Sequence, residues 1–193
     1  MGRLANLVRR LRGVGARDEA APTDFQCLEQ FLARRDEDAF AVLVARHGPM
    51  VMGVCRRVLG QAADAEDAFQ ATFLVLVRKA GSFTSRDLLA NWLHGVALRT
   101  ALKARTMTAK RRAREQPVAE VPEREAVRQN PGEGQASVVD EELSRLPEKY
   151  RLPIVLCELE GKSHQEAAAQ LGWPVGTLSG RLSRARKILA DRL

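Results

Sequence analysis

The sequence lacks the features that mark several common classes of protein. Aromatic residues make up only 5% of its 193 residues, and its three cysteines are scattered without any CxxC pair. This odd, dispersed set gives no disulfide framework and no cysteine-rich zinc site, and it is typical of reduced thiols in a cytoplasmic protein. The longest apolar runs, 39–45 and 71–77, are much too short to cross a bilayer, so we expect no stable membrane insertion.

Signals for β-structure are absent as well. No run of residues alternates β-branched with polar side chains, and no hairpin dipeptide separates two such runs. Apolar residues instead recur at steps of three and four, which is the spacing of an amphipathic helix. The sequence therefore predicts an all-α fold in which two small helical domains are joined by a flexible acidic linker.

Composition also predicts the boundaries of these parts. Residues 1–23 form a basic N-terminal extension, 24–115 a helical domain of a size that one core can fill, and 138–193 a second helical domain. Residues 116–137 contain three prolines and many charges. Such a segment cannot bury enough apolar surface to order itself, so we interpret it as the linker.

Capping residues and apolar spacing predict five helices in the first domain. Thr23 or Asp24 caps the first helix. A His-Gly-Pro sequence ending at Pro49 is predicted to break the chain between the second and third helices. A fourth helix over 64–79 and a long fifth helix over 88–114 complete the domain.

Charge is unevenly distributed along the chain. The net charge of +7 favours a polyanionic partner. Residues 98–114 carry seven basic and no acidic side chains, whereas 115–142 carry eight acidic and two basic ones. From residue 162 onward there are six basic and two acidic residues. Two basic modules are thus separated by an acidic stretch, which a generic basic protein has no reason to show.

The C-terminal segment predicts a short helix, a tight turn and a longer basic helix. Ser163 and Glu166 form a capping box, Gly172 suits the left-handed residue that ends a helix, and Pro174 suits the start of the next one. Such a pair presents its second helix to the major groove of DNA. A solvated basic face on an ordinary helical hairpin is the alternative. Upstream, Pro153 is predicted to bend or delay the central helix of this domain.

Three motifs stand in order along the chain. They are Asp-Ala-Glu-Asp-Ala-Phe-Gln from Asp64, Asn-Trp-Leu-His-Gly-Val-Ala from Asn91, and Gly-Thr-Leu-Ser-Gly-Arg-Leu-Ser-Arg-Ala-Arg from Gly176. In this order, over about residues 25–193, the chain resembles a bacterial extracytoplasmic-function (ECF) sigma factor, a compact specificity subunit of RNA polymerase in the sigma-70 family. A helix-turn-helix alone would be a weak signal.

The resemblance implies a role for each domain. The first domain matches sigma region 2, and its acidic helix implies binding to core RNA polymerase through Asp64, Asp67 and Gln70. Ala71 stands where many relatives carry Glu, so one polar contact to polymerase is in doubt. The second domain matches sigma region 4.

The resemblance also implies that promoter DNA is a partner. The residues matched to reading and melting of the −10 element are Asn91, His94, Arg99, Lys103, Arg105, Arg111 and Arg112. The residues matched to the −35 recognition helix are Thr177, Ser179, Gly180, Arg181, Ser183, Arg184 and Lys187. For Trp92 we favour a place in the core over stacking on a base, and for His94 a neutral surface histidine is the alternative.

The implied function is that of a sigma factor, which binds core RNA polymerase and directs promoter recognition, DNA melting and transcription initiation. By the same resemblance, an anti-sigma factor or another signal holds the free protein inactive. Nothing in the sequence identifies that partner, the signal or the promoter.

Two other functions are alternatives to that of a sigma factor. If the chain were a stand-alone helix-turn-helix regulator, the acidic helix and the Trp-Leu helix would have no evident role. A nucleic-acid enzyme needs clustered acids, a metal site or a nucleophile–base pair, but His47, His94 and His164 are dispersed, and Asp64 and Asp67 have no third carboxylate beside them. We therefore predict no catalytic residue, no metal, no cofactor and no small-molecule substrate.

Overall fold

The computed structural model describes residues 22–83, 89–115 and 131–193, and every regular element in these ranges is a helix. The first lobe contains α1 (Asp24–Arg34), α2 (Glu37–Leu59), α3 (Ala62–Lys79), a 3₁₀ turn (Ala80–Ser82) and α4 (Leu89–Glu115). The second lobe contains α5 (Pro131–Arg145), α6 (Glu148–Ile154), a π-helical turn (Val155–Leu159), α7 (His164–Leu171) and α8 (Val175–Ala190). The predicted all-α class with two helical domains is confirmed. The N-terminal extension up to residue 21 and residues 116–130 of the predicted linker lie outside the described residues.

Local capping chemistry sets the first helix boundaries. Thr23 caps α1 through a capping box, because the Gln26 N–H donates to Thr23 Oγ1 at 3.2 Å and the Thr23 N–H donates to Gln26 Oε1 at 2.8 Å. Asp36 caps α2 by accepting from the Asp38 N–H at 3.0 Å. Gly60, with φ of 70°, ends α2 in a conformation that a residue with a side chain rarely adopts.

The predicted helix break at Pro49 is wrong. Helix α2 runs without interruption through His47, Gly48 and Pro49. An interior proline removes one hydrogen bond and crowds the preceding turn, at a cost of about 3 kcal/mol. Leu43 before the proline and Val51 after it are both fully buried in the same core. Burial of the two halves on one face therefore outweighs the local cost.

Two further features of the second lobe differ from the sequence expectation. Helix α5 begins at Pro131, so residues 131–137, predicted as the end of an irregular linker, are helical. Pro131 stands at a first helical position, where its missing N–H costs nothing. Pro153 lies near the end of α6, and the π-helical turn that follows gives the expected bend its structural form.

The core of the first lobe lies among α2, α3 and α4. Leu43, Val54, Leu76 and Leu93 are fully buried there. Trp92 packs its ring edge-on against Phe83, with ring centroids 5.6 Å apart, at the side of this core. The expectation that Trp92 is a core residue is confirmed in this conformation.

The core of the second lobe is formed by α5, α6, the π-helical turn, α7 and α8. Leu143, Leu156, Leu178 and Leu182 are its fully buried large side chains. Ala90, from the start of α4 in the first lobe, is buried in this same cluster. The two cores are therefore in contact.

The lobes pack against each other along one side. Helix α5 crosses α2 and the start of α4, and the π-helical turn also contacts α4. Leu159 is partly buried against both cores. This packing was not predicted from the sequence. None of the helices in the described part of the chain is both long and apolar enough to cross a membrane.

Candidate nucleic-acid interface

The C-terminal pair of helices has the predicted helix-turn-helix geometry. At the start of α7, the Ser163 N–H donates to Glu166 Oε2 at 2.8 Å and the Glu166 N–H donates to Ser163 Oγ at 3.2 Å. This hydrogen bonding with Ser163 lowers the pKa of the Glu166 carboxyl. Gly172 ends the helix with φ of 64°, and the Trp173 N–H closes the turn on the Ala168 carbonyl at 2.9 Å.

Helix α8 is anchored by one apolar face. Leu178, Leu182, Ala185 and Leu189 are buried against the rest of the lobe. Apolar residues at helical spacing in the sequence predict this face, and they place Val175 and Leu193 on it as well, which the structure does not. Val175 is 44% exposed and Leu193 is 63% exposed, because neither is covered by a neighbouring helix.

The predicted −35 residues lie on the opposite side of α8. Gly180, Ser183, Arg184 and Lys187 are exposed, and Thr177, Ser179 and Arg181 are half-buried. A Cβ atom added at Gly180 would have no heavy atom within 4 Å, so this part of the helix surface is open. A surface without bulky side chains lets a helix approach DNA closely.

Two contacts near the turn orient residues of this surface. The Arg181 guanidinium lies over the Trp173 ring, 4.1 Å from its centroid. Ser179 Oγ lies 3.2 Å from His164 Nδ1. Among the described residues, Arg184 and Lys187 form no ion pair, so their charges are available to phosphate.

The predicted polymerase-binding residues share one face of α3. Asp67 and Gln70 are exposed and Asp64 is half-exposed. The two aspartates line one wall of a groove of about 640 Å³, and the C-terminal part of α4, including Arg111 and Arg114, lines the other. The acidic helix therefore faces the basic end of α4 across an open space.

The predicted −10 residues divide into two groups in this conformation. Arg99, Lys103 and Arg111 are exposed along α4, as strand contacts require. Asn91 and His94 instead face the second lobe, and Arg105 is exposed but lies close to it. The Arg112 side chain lies outside the described part of the structure.

The alternative that His94 is a neutral surface histidine is wrong for this conformation. His94 is only 1% exposed, and its Nε2 lies 3.1 Å from Asp140 Oδ1 on α5. Asn91 Oδ1 accepts a hydrogen bond from Arg151 Nε at 2.7 Å. Arg105 lies 3.5 Å from Glu141. The second lobe thus covers part of the surface predicted to contact DNA.

Asp140 is the centre of a polar cluster between the lobes that the sequence did not predict. Arg57 donates to both of its carboxylate oxygens, from Nε at 2.7 Å and from Nη2 at 2.9 Å. Burial alone would raise the pKa of Asp140, but the hydrogen bonds from His94 and Arg57 outweigh burial and lower it. Asp140 is therefore an ionised acceptor that bridges both lobes.

His47 is the centre of a second such cluster. Its Nδ1 contacts Glu160 of the second lobe, and its Nε2 lies 3.1 Å from Asp24 Oδ2. Burial opposes protonation, but the two carboxylates outweigh it and raise the pKa of His47 to about 9. Arg46 also pairs with Asp24, and Lys162 Nζ lies 3.4 Å from Glu160. His47 and Arg46 lower the pKa of Asp24 although its burial would raise it.

Two family models and several relatives match this chain. The family model described as Sigma-70 region 2 matches residues 43–112, and the model described as Sigma-70, region 4 matches residues 137–189. The ECF RNA polymerase sigma factor SigM of Mycobacterium tuberculosis is 31% identical over 182 residues, which cover 94% of this chain and 89% of SigM. The chain belongs to the ECF family of sigma-70 factors.

Other relatives cover the chain to a similar extent. RNA polymerase sigma-H factor of Pseudomonas aeruginosa is 29% identical, with 87% of this chain and 93% of that protein covered. A solved structure of CnrH in complex with the cytosolic domain of CnrY is 26% identical, with a TM-score of 0.44, and covers 87% of this chain and 95% of CnrH. As a sigma factor, the chain is a regulatory subunit that serves RNA polymerase in promoter recognition and transcription initiation.

Proposed function

We propose that this sigma factor divides its work between the two lobes. The first lobe, residues 24–115, binds core polymerase and opens the −10 element, and the second, residues 138–193, binds the −35 element. The observation that carries this proposal is the position of α8. Its buried leucines fix the helix, and its exposed small and basic residues face outward.

Recognition of the −35 element is assigned to the exposed face of α8. Arg184 and Lys187 supply charge to phosphates or to guanine edges, and Gly180 and Ser183 permit close approach. The remaining members of this surface are Thr177, Ser179 and Arg181. The Trp173 ring under Arg181 limits the directions in which that guanidinium can reach.

Binding to the −10 element is assigned to α4. Arg99, Lys103, Arg105, Arg111 and Arg112 follow one another along a helix with no acidic residue from 98 to 114. Such a basic track suits the backbone of a single strand. Asn91 and His94, at the start of the same helix, are assigned to bases, which requires that the second lobe move away from them.

Binding to core polymerase is assigned to the acidic face of α3, which is formed by Asp64, Asp67 and Gln70. Carboxylate and amide groups on an exposed face suit a basic protein surface, and they repel DNA phosphates. The chain itself catalyses nothing in this proposal, because polymerase performs the chemistry in the cytoplasm. An anti-sigma factor is a further proposed partner, since the related CnrH was solved in complex with CnrY.

The assignment to α3 is tested by pull-down of the full chain with core RNA polymerase. Asp67→Asn is expected to weaken binding by about 5-fold or more, as loss of one charged contact at a protein interface typically does. Glu66→Gln removes the same charge one residue away and is the matched control. Equal retention of the two variants would contradict the assignment.

The same experiment separates a sigma factor from a stand-alone regulator. A sigma factor binds core polymerase and binds duplex DNA weakly on its own. Failure to bind core polymerase, together with tight binding of the free chain to one operator duplex, would favour the regulator.

A further inference from the structure

Trp173 lies in the turn between α7 and α8, and its backbone is held on both sides. Its N–H donates to the Ala168 carbonyl at 2.9 Å, and Pro174, which follows it, restricts the backbone angles of Trp173. The ring is partly buried against the core of the second lobe. The indole therefore has a fixed place beside the start of the helix that we assign to DNA.

The Arg181 guanidinium lies over this ring, 4.1 Å from its centroid, which is well within the distance at which a ring attracts a cation. Such a contact uses the flat face of the guanidinium, whereas its N–H donors lie in the plane of the group. The donors can therefore bind an anion while the contact with the ring is kept. In the described part of the chain no carboxylate pairs with Arg181, so the protein itself does not match its charge.

Arg181 lies on a flank of α8, between the buried face and the exposed face, and is half-buried. At about 100° per residue, Thr177, Arg181 and Arg184 form one row along this flank. A helix with its side chains is about 10–12 Å across and the major groove is about 12 Å wide, so a helix that enters the groove fills it. Its exposed face then meets the base edges and its flanks lie beside the phosphates. A cation on the flank therefore reaches a phosphate before it reaches a base.

The ring also lowers the entropic cost of such a contact. A long side chain loses rotamer freedom when it binds a partner, and this loss opposes binding. Trp173 already restricts the Arg181 side chain in the free protein, so less freedom remains to be lost on contact with DNA.

We propose that Trp173 is a positioning residue for promoter binding, whose ring holds the Arg181 guanidinium at the flank of α8 where it binds a phosphate of the −35 element. The inference rests on the proposed function, because it takes α8 as the helix that enters the groove. It adds a residue outside α8, and it separates Arg181 from the residues that read bases. Phosphate contacts fix the register and orientation of a protein on the duplex and carry no sequence information directly.

The alternative is that the pair only covers the edge of the core. In that case Trp173 fills space, and the alkyl stem of Arg181 lies along the ring while its charge stays in water. Substitution of either residue would then change stability without changing the number of phosphates that the protein contacts. The two roles therefore differ in salt dependence, since each phosphate contact adds about 0.9 to the slope of log affinity against log salt concentration on duplex DNA.

The test uses the full chain reconstituted with core polymerase, on a labelled promoter fragment that this chain is shown to use in transcription in vitro. Affinity is measured by fluorescence anisotropy from about 0.1 to 0.3 M KCl. A second fragment carries a single changed base pair in the −35 element. Arg186→Ala is the matched control, because it removes the same charge from the other flank of α8, where Arg186 pairs with Glu158.

Arg181→Ala is expected to weaken binding about 5–10-fold and to reduce the salt slope by about 1, whereas Arg186→Ala leaves the slope unchanged. Trp173→Leu keeps an apolar side chain but removes the ring, and it is expected to weaken binding about 3–5-fold with a reduced slope. Trp173→Phe keeps a ring under the guanidinium and is expected to stay within about 2-fold of wild type. Each loss is expected to be the same on both fragments. An unchanged slope in Trp173→Leu, an equal fall in Arg186→Ala or a loss confined to one fragment would overturn the proposal.

A double variant tests whether Trp173 acts through Arg181. If it does, Trp173→Leu costs no further affinity once Arg181 is replaced by alanine, and additive losses would overturn the proposal. A further variant keeps the test decisive if Trp173→Leu loses helical circular dichroism. Arg181→Lys keeps the charge but has no flat face to lie on the ring, so it is expected to bind about 3-fold more weakly than wild type on both fragments. Wild-type affinity in Arg181→Lys would then overturn the positioning role.

The double variant Arg184→Ala with Lys187→Ala, measured on the same fragments, distinguishes the two possible failures. Weaker binding by that variant, together with no change at Trp173 and Arg181, overturns the positioning role alone. No loss in any of these variants overturns the assignment of α8 to the −35 element, and with it the proposed function of the second lobe.

Discussion

Single residues set the boundaries of three described helices, α1, α2 and α7, and these boundaries could be predicted from the sequence. Thr23, Ser163 and Gly172 act on backbone groups within five residues of themselves, so the chemistry of the residue and its neighbours is sufficient. Asp140 and Glu160 are different. Asp140 bonds Arg57 across 83 positions of the chain, and Glu160 contacts His47 across 113. No local pattern carries such a pairing, which depends on how whole helices pack.

At the scale of single residues, the titration of His47 predicts how the free energy of unfolding changes with pH. The pKa of His47 is raised from 6.5 to about 9, so its contribution to stability is complete below pH 6.5 and is lost as the pH rises through about 9. Asp24 has a lowered pKa and gives the opposite behaviour, with stability lost only on strong acidification. Between pH 6.5 and 9 the wild type is expected to lose about 3 kcal/mol of unfolding free energy through His47.

Chemical denaturation across this pH range checks the prediction. His47→Gln is expected to be less stable than wild type at pH 6.5 and to lose that difference by pH 9 to 10, because the neutral side chain has no proton to release. Cys55, whose pKa burial raises to about 11, titrates in both proteins and cancels in the difference. Parallel pH profiles for the two proteins would contradict the role given to His47.

At the scale of the element, helix α2 shows that a local rule can be overridden. Pro49 is a strong helix breaker in isolation, yet α2 continues through it because Leu43 and Val51 are buried on the same face of the same core. The sequence placed α3 and α8 correctly because their apolar residues recur at helical spacing along one buried face. It wrongly predicted a break in α2 because Pro49 disfavours the helix locally. Burial of both halves of α2 in one core favours the helix by more.

Pro49→Ala is therefore expected to stabilise the protein. The substitution restores a backbone donor and removes the clash with the preceding turn, while alanine gives back some entropy to the unfolded chain. The net effect is expected to be an increase of about 1–2 kcal/mol in the free energy of unfolding. Urea denaturation followed by circular dichroism measures it, and a lower midpoint with an unchanged slope would contradict the account of α2.

Helix α8 gives the second prediction for an element. Arg184→Ala combined with Lys187→Ala removes two exposed charges from the assigned −35 surface. Initiation that depends on a −35 element is expected to fall by about 10-fold or more, since each good contact is worth about 1–3 kcal/mol. Run-off transcription with reconstituted polymerase measures this loss.

The control for α8 removes the same number of charges from the same end of the chain. Arg186 pairs with Glu158 and Arg192 with Glu142, so Arg186→Ala with Arg192→Ala leaves the assigned surface intact. It is expected to keep most of the −35-dependent initiation. An equal loss in both double variants would show that overall charge, and not the assigned surface, determines promoter binding.

At the scale of the whole molecule, the sequence predicted two helical domains and their order but gave no indication of how they meet. The interface is formed by Ala90, Leu159 and acid–base pairs that lie far apart in the chain. Within its own helix, none of these residues belongs to a local pattern that predicts the interface. Their combination covers Asn91 and His94, which the sequence had placed among the exposed DNA contacts. The arrangement of the two lobes is thus a property of how whole helices pack.

The most direct test of the account is transcription in vitro by core RNA polymerase on a pool of genomic promoter fragments, with and without the full chain. The account predicts that the chain makes initiation start at a restricted set of sites that share elements near −10 and −35. It also predicts that polymerase alone does not use these sites. Initiation that is the same with and without the chain, although the chain is folded and present in excess, would contradict the account.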